Sequence, residues 1–254
     1  MLLSPCIEWH FAEHGDLAAR IRAAHAAGFA TAEFHLWRDK DLPAIAAALD
    51  ETGVRLTGIC ADPRRALVDP AQHDELFEAV HDTIVAARTI GSPPIIVASG
   101  FIREGVGAED HFTDAVSALR RLAAHAEAEG AQLLLEPLND RIDHPGMYLV
   151  STTLGLDLVA AVNSPALGLL YDVYHSTVMG EDMEHVLQGR AHLVHHVQVA
   201  DFPGRNEPGT GTIDWPAKIS LLRALGYQGA IGLEYRPTMP IDQSLAHTRT
   251  ALGL

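Results

Sequence analysis

Four oxygen-bearing side chains occur at or near the ends of four successive apolar runs in the second half of the chain. They are Glu136, Asp172, Gln198 and Glu234, spaced 36, 26 and 36 residues apart. Each interval is about the length of one strand followed by one helix. Three carboxylates gathered with an amide at one end of a sheet would repel one another unless a cation joined them. The pattern therefore predicts a metal site.

Oxygen-only ligation favours Mg²⁺ or Mn²⁺, with Co²⁺ as a further candidate, over Zn²⁺, which prefers nitrogen and sulfur ligands. The alternative is that each polar side chain only caps a strand in solvent, which is common for one residue but much less expected for four in succession. Two glutamates in the set indicate catalysis as well as metal binding. Glu136 and Glu234 could each move a proton at one carbon of a chelated substrate while the metal stabilises the developing enediolate. This is isomerase or epimerase chemistry, and it needs no organic cofactor.

The histidines close to this set allow several interpretations. His175 follows Asp172 by three positions and could be a metal ligand, a substrate hydrogen-bond donor or a loop residue without a role. His195 and His196 share an apolar run with Gln198. Because successive strand residues point to opposite sides, only His196 faces the same way as Gln198, and packing inside the fold would also explain it.

Arg205 lies in a loop rich in proline and glycine that follows the third apolar run. Its planar guanidinium suits a substrate carboxylate or polarised hydroxyl groups. The alternative is an ion pair with Glu207 or Asp201 that only stabilises the loop.

Hydrophobic periodicity predicts the elements that would position these residues, since short apolar runs alternate with longer amphipathic ones. The predicted strands are Leu3–Trp9, Thr31–Trp37, Arg55–Ala61, Ile95–Ser99, Leu133–Glu136, Leu167–Val173, Leu193–Val199 and Ala230–Tyr235. The predicted helices are Asp16–Gly28, Leu42–Glu51, Gln72–Ile90, Asp110–Glu129, Thr153–Val162, Glu181–Leu187, Trp215–Leu225 and Asp242–Leu252. Eight such units predict an α/β fold, a single (β/α)8 TIM barrel that occupies residues 1–254 as one domain. An open doubly wound sheet fits less well, because no glycine-rich phosphate-binding turn follows the first strand.

Composition argues against several classes of function. Apolar residues make up 48% of the chain and charged residues 20%, which is enough for a sizeable core. The net charge of -15 and the absence of a Lys/Arg cluster argue against nucleic acid and anionic membrane partners, although an anionic small substrate needs only one or two local cations. No apolar run is long enough to cross a membrane and no signal-peptide pattern is present, so a cytoplasmic protein is expected.

Five stretches in the second half are typical of a known family. They are Leu135-Glu136-Pro137-Leu138-Asn139, Tyr171-Asp172-Val173-Tyr174-His175, His196-Val197-Gln198-Val199-Ala200-Asp201, Pro203-Gly204-Arg205-Asn206-Glu207-Pro208-Gly209-Thr210-Gly211 and Gly232-Leu233-Glu234-Tyr235. These stretches resemble the hydroxypyruvate isomerase family, within the wider xylose-isomerase-like TIM barrel superfamily. The resemblance implies a divalent ion bound by Glu136, Asp172, Gln198 and Glu234, with Glu136 and Glu234 as the proton donor and acceptor. It also implies that His175 and Arg205 contact the substrate.

The resemblance further implies a small-molecule substrate and a metal-dependent aldose–ketose-type isomerisation. The expected reaction interconverts hydroxypyruvate and tartronate semialdehyde, or a related short 2-oxo sugar acid. Gln198 favours this branch, because related ketose epimerases tend to carry His at that position. The first-half stretches Cys6–His10 and Glu33–Trp37 depart from that branch, which leaves the substrate open.

Other functions of the same scaffold are alternatives. A ketose 3-epimerase or another sugar isomerase or epimerase would use the same residues, and a metal-dependent lyase or decarboxylase would release a small product. A non-catalytic sugar-acid-binding barrel is less favoured, because the four-ligand set is intact. Barrels of this type often form homo-oligomers, but no interface signature decides the matter.

Overall fold

Parallel strands surrounded by helices make up the fold, in a computed structural model that describes residues 1–254. The strands are β1 Leu3–Pro5, β2 Thr31–Ala32, β3 Arg55–Leu56, β4 Ile59–Cys60, β5 Ile95–Val97, β6 Leu133–Leu135, β7 Leu167–Asp172, β8 Val194–Val199 and β9 Ile231–Leu233. The α-helices are α1 Leu17–Ala26, α2 Leu42–Thr52, α3 His73–Arg88, α4 Ala108–Glu129, α5 Thr152–Val162, α6 Val173–Met179, α7 Met183–Leu187, α8 Trp215–Ala224 and α9 Ile241–Leu252. Three short 3₁₀ helices cover Ala12–His14, Pro70–Gln72 and Ala191–Leu193.

The strands close into a parallel ring. Seven of them are hydrogen-bonded in the order β1-β9-β8-β7-β6-β5-β4, and β2 pairs with β3. The ring closes on one side through a parallel bridge between Cys6 and Glu33, which extend β1 and β2. It closes on the other side because β3 and β4 are two halves of one strand, and the Cys60 amide of β4 donates to the His35 carbonyl at 2.8 Å. Counting β3 and β4 together gives eight strands, and the predicted TIM barrel is confirmed.

Successive residues of each strand point alternately outward to the helices and inward to the centre of the barrel. Residues that face outward pack against the helices and form the main apolar core. The inner face is apolar in one part of the barrel, where Cys60, Ile96, Leu134 and Leu170 pack together. Elsewhere the inner face carries polar side chains, which gives the barrel a buried hydrogen-bonded region directly below the carboxyl ends of β8 and β9.

Helix α6 was not predicted and corrects the sequence-based assignment around His175. The pattern predicted a strand through Val173, with no helix before Glu181, because valine and tyrosine favour strands. The strand instead ends at Asp172, whose carboxylate accepts the backbone amides of Tyr174 at 2.7 Å and His175 at 3.3 Å and so caps a new helix. His175 therefore lies in the first turn of a helix, where its position is defined by this cap.

The predicted first two strands were also too long, since β1 and β2 span three and two residues. None of the helices combines the length and the apolar character that crossing a membrane requires.

Candidate metal and substrate site

The residues predicted from the strand ends converge at the carboxyl end of the barrel. Glu136 and Glu234 directly follow β6 and β9, Asp172 ends β7, and Gln198 lies one residue before the end of β8. Glu136, Gln198 and Glu234 line a cavity of about 280 Å³ together with His175 and Arg205.

The three carboxylates and His175 form a compact cluster. One ligand atom from each of Glu136, Asp172, His175 and Glu234 lies within 4.8 Å of the others. The three carboxylates come from β6, β7 and β9, whose carboxyl ends meet at this edge of the barrel, as the spacing in the sequence indicated.

Burial and mutual repulsion perturb these carboxylates. Burial raises the pKa of Glu136 well above its ordinary value, and the charges of Glu234 and Asp172 raise it further. Burial also raises the pKa of Asp172 to about 7, although Arg205 opposes the rise. For Glu234 the effect of burial is outweighed by Arg205 and His35, which hold its pKa below the usual range. Additional positive charge beside these carboxylates would therefore stabilise their ionised forms.

Gln198, which lines the same cavity, has a side-chain oxygen without a hydrogen-bond partner. Its Nε2 donates to Glu33 Oε1 at 2.8 Å, while its Oε1 is buried and has no hydrogen-bond partner. Because a carboxylate only accepts hydrogen bonds, Glu33 fixes which end of the amide is turned toward it. Three carboxylates and one orphaned amide oxygen make a hard, oxygen-only donor set, and this set fits a Mg²⁺-like or Mn²⁺-like cation.

Glu33 is a residue that the sequence interpretation missed. It is 2% exposed and its second oxygen accepts His196 Nε2 at 2.8 Å and Thr57 Oγ1 at 3.1 Å. His196 does face the same way as Gln198, and its role is to complete this network. The sequence did contain a signal for Glu33. Glu33 and His35 are two positions apart on a predicted strand, so both side chains lie on the same face of that strand.

Asn139 determines the protonation of His175. Asn139 Oδ1 accepts the backbone amides of Ile142 and Asp143, both at 3.0 Å, so its Nδ2 must face His175 Nδ1 at 2.6 Å. The ring nitrogen Nδ1 is thus an acceptor and the proton lies on Nε2. Nε2 is buried and has no hydrogen-bond partner, although Asp172 Oδ2 lies 3.5 Å away. Burial lowers the pKa of His175 to about 3, so the ring is neutral. A neutral ring with a proton on Nε2 is a hydrogen-bond donor to the cavity.

Arg205 forms an ion pair with carboxylates of this cluster rather than with its own loop. Its Nη2 lies 2.7 Å from Glu234 Oε2 and 4.0 Å from Asp172 Oδ2, and its Nη1 lies 3.5 Å from Asp143 Oδ1. The alternative of an ion pair with Glu207 or with the Asp201 side chain was wrong.

The backbone at Arg205 is also unusual. Its φ of 54° lies in the left-handed region, which costs a non-glycine residue on the order of 1 kcal/mol. The loop sustains this conformation because the Arg205 amide donates to the Asp201 carbonyl at 3.0 Å, while the Asp201 side chain accepts Gly209 N at 2.6 Å and Trp215 Nε1 at 2.8 Å.

Comparison with known proteins finds relatives that match most of the chain. Residues 21–251 match the family model described as xylose isomerase-like TIM barrel. A putative hydroxypyruvate isomerase of Streptomyces coelicolor is 35% identical, over 87% of this chain and 86% of its own length. The hydroxypyruvate isomerase of Escherichia coli (strain K12) is 29% identical over 91% and 92%. A 2-oxo-tetronate isomerase of Cupriavidus necator is 28% identical over 95% of each chain.

Solved structures agree on the fold. A protein from Brucella melitensis, described as AP endonuclease, family 2, superposes with a TM-score of 0.89 at 27% identity, over 97% of each chain. The D-psicose 3-epimerase of Clostridium cellulolyticum H10 superposes with a TM-score of 0.83 at 18% identity, over 99% of each chain. The second likeness shows the fold alone.

Proposed function

We propose that this chain, which belongs to the xylose isomerase-like TIM barrel family, interconverts hydroxypyruvate and tartronate semialdehyde or a closely related short 2-oxo sugar acid. The chain is an isomerase, since relatives that carry this activity in their names match it over most of its length. The substrate is the proposed part. Relatives named for hydroxypyruvate and for 2-oxo-tetronate both support an acid of three or four carbons.

One observation carries the proposal: Glu136 and Glu234, on strands separated by β7 and β8, approach each other with Asp172 and His175 to within 4.8 Å at the cavity. A small substrate in this cavity can contact both glutamates at once. A cavity of about 280 Å³ is also small for a ligand site, which favours a short substrate.

Glu136, Asp172, Gln198 and Glu234 would hold a divalent cation, Mg²⁺ or Mn²⁺, with Co²⁺ as a further candidate. When bound, such a cation would supply positive charge that stabilises the negative charge developing on the substrate.

The protein's own groups move the protons. One of the two glutamates takes a proton from the hydroxymethyl carbon of hydroxypyruvate, and the electron pair of that C–H bond becomes the C=C bond of an enediolate. The other glutamate delivers a proton to the former carbonyl carbon, while the proton of the terminal hydroxyl group ends on the neighbouring oxygen. The product is tartronate semialdehyde, and the two glutamates have exchanged protonation states.

His175 and Arg205 contact the substrate in this proposal. The Nε2–H of His175 donates to a substrate oxygen, because Asn139 leaves that proton unpartnered in the cavity. Arg205 orients Glu234 through its 2.7 Å ion pair and places positive charge beside the reacting oxygens.

An NMR screen of metal-loaded protein tests the proposal, because isomers share a mass. Hydroxypyruvate, 2-oxo-tetronate and free ketoses are each incubated with the protein in D₂O. We expect conversion of a short oxo acid with deuterium incorporated at the carbon that gains a proton. Conversion of free ketoses alone would contradict the proposal. Binding of an oxo acid without turnover would instead identify a sugar-acid-binding barrel, and release of a smaller product would identify a lyase.

A ketose 3-epimerase is the second candidate, because two carboxylates at one cavity could also remove and return a proton on opposite sides of a single carbon. The same screen separates the two functions, since inversion at C3 of a ketohexose or ketopentose leaves the carbonyl at C2. The relatives named for oxo acids favour the isomerase.

A further inference from the structure

Four arginines line the cavity, and three of them are already engaged. Arg205 is paired with Glu234, and Arg65 is paired with Glu75 at 2.6 Å. The Arg236 guanidinium lies 5.6 Å from the centre of the Trp9 ring, within cation–π range. The fourth, Arg64, has an exposed side chain that makes no ion pair, hydrogen bond or aromatic contact.

The loop that carries Arg64 is firmly attached to the barrel. The Leu67 amide donates to the Ser99 carbonyl at 2.9 Å, and Arg65 Nη1 donates to the Arg64 carbonyl at 2.9 Å. The loop also packs so closely against Gly100 that a Cβ there would lie 2.4 Å from the Ala66 Cβ. The backbone of Arg64 is thus held at the edge of the cavity while its guanidinium stays uncommitted.

Arg64 lies on the wall of the same cavity as the reacting residues. It lines this cavity together with Glu136 and His144. The guanidinium therefore borders the space that a ligand would occupy.

An anionic substrate needs a counter-charge at this site. The chain has a net charge of -15, and three carboxylates already converge at the cavity. The positive charge of Arg205 is already offset by Glu234, Asp172 and Asp143, which lie within 4.0 Å of its guanidinium. A free guanidinium offers two parallel N–H groups that match a carboxylate.

We propose that Arg64 binds the carboxylate of the substrate and so selects oxo acids over uncharged ketoses. This inference rests on the proposed oxo-acid isomerase function and adds the residue that recognises the acid group. Arg205 then acts at the reacting oxygens, and Arg64 acts at the other end of the substrate.

The test compares hydroxypyruvate with dihydroxyacetone, in which CH₂OH replaces the carboxylate. For wild type and Arg64→Gln, the KM for hydroxypyruvate and the inhibition constant of dihydroxyacetone as a competitor are measured. We expect Arg64→Gln to raise the KM by about 10- to 100-fold, the range for losing a charge-assisted hydrogen bond, and to leave the inhibition constant unchanged. Arg22→Gln is the control for net charge, because Arg22 pairs with Glu51 on the outside of α1 and α2. Calorimetric titration with Mn²⁺ should give the same affinity for all three proteins.

Three results would overturn the inference. The first is an unchanged KM for hydroxypyruvate in Arg64→Gln. The second is an equal increase in the KM for hydroxypyruvate and in the inhibition constant of dihydroxyacetone. If Arg236→Gln raises the KM for hydroxypyruvate and Arg64→Gln does not, the substrate carboxylate is bound by Arg236, whose guanidinium lies over the Trp9 ring. In each case wild-type turnover of hydroxypyruvate leaves the proposed function standing. If wild type converts no oxo acid, the proposed function and this inference both fail.

Discussion

Replacing Glu33 by glutamine tests how the barrel orients Gln198. Glu33 accepts Gln198 Nε2 and His196 Nε2, both at 2.8 Å, and Thr57 Oγ1 at 3.1 Å. A glutamine at position 33 replaces one acceptor oxygen by an NH₂ group. If this NH₂ group faces Gln198, two donors meet and the Gln198 amide rotates, which turns its Nε2 toward the carboxylate cluster in place of Oε1. If it faces His196 and Thr57, those two donors lose their acceptor.

The magnitude follows from the geometry. Loss of an orienting partner of a metal ligand lowers metal affinity about 10- to 100-fold, or about 1.4–2.7 kcal/mol. Loss of a charge-assisted hydrogen bond in a site where Glu33 is 2% exposed lowers the free energy of unfolding by about 1.5–3 kcal/mol. The substitution should therefore weaken both Mn²⁺ binding and folding.

Calorimetric titration with Mn²⁺ and urea unfolding of the metal-free protein measure the two effects separately. Glu207→Gln is the matched control, because Glu207 is 0% exposed and accepts Thr238 N at 2.7 Å and Thr238 Oγ1 at 2.9 Å, but makes no hydrogen bond to the carboxylate cluster. We expect Glu207→Gln to lower stability without changing Mn²⁺ affinity. Wild-type Mn²⁺ affinity in Glu33→Gln, or an equal loss in Glu207→Gln, would refute the orienting role of Glu33.

Three further predictions concern the same site. Glu136→Gln and Glu234→Gln should each lower substrate deuterium exchange in D₂O by about 10²–10⁴-fold, as expected for a lost acid or base, and full exchange in either variant would exclude the two-glutamate mechanism. Mn²⁺ at 100 times its Kd should stabilise the wild-type protein by about 2.7 kcal/mol in thermal unfolding, whereas Asp172→Asn should show a clearly smaller shift; equal shifts would place the cation elsewhere. Gly232→Ala should destabilise the protein by about 1–3 kcal/mol in urea, because a Cβ there would lie 2.5 Å from Glu33 Oε1 and 2.8 Å from Gln198 Cγ; an unchanged midpoint would show that the network can move aside.

Local sequence was sufficient to predict the barrel and the origin of its site. Periodicity depends on which face of a strand or helix is buried, so it shows the order of the elements. Parallel strands have their carboxyl ends at one edge, so polar residues that end successive strands must meet there. Glu136, Asp172 and Glu234 were predicted to converge on this ground, and the structure brings them together.

Local sequence was misleading where a side chain overrides a backbone preference. Val173 and Tyr174 have strand preferences, yet Asp172 caps a helix over them. The first two strands are short, and the chain beyond them lines the cavity with Trp9 and His35, although the apolar pattern runs on through Phe34 and Leu36.

Only the tertiary structure decided which partner each polar group has. The acceptor of Gln198 is Glu33, 165 positions away, and the guanidinium of Arg205 pairs with Glu234 rather than with the nearby Glu207. Such pairs depend on the closure of the ring, which places β9 beside β8 and brings the Glu33 side chain across the inside of the barrel to Gln198. The periodicity of the sequence does not show these pairs. The sequence by itself thus determined which residue types reach the mouth of the barrel, because strand direction places them there. Their orientation, the neutral state of His175 and the uncommitted charge of Arg64 depend on contacts that exist only once the barrel is closed.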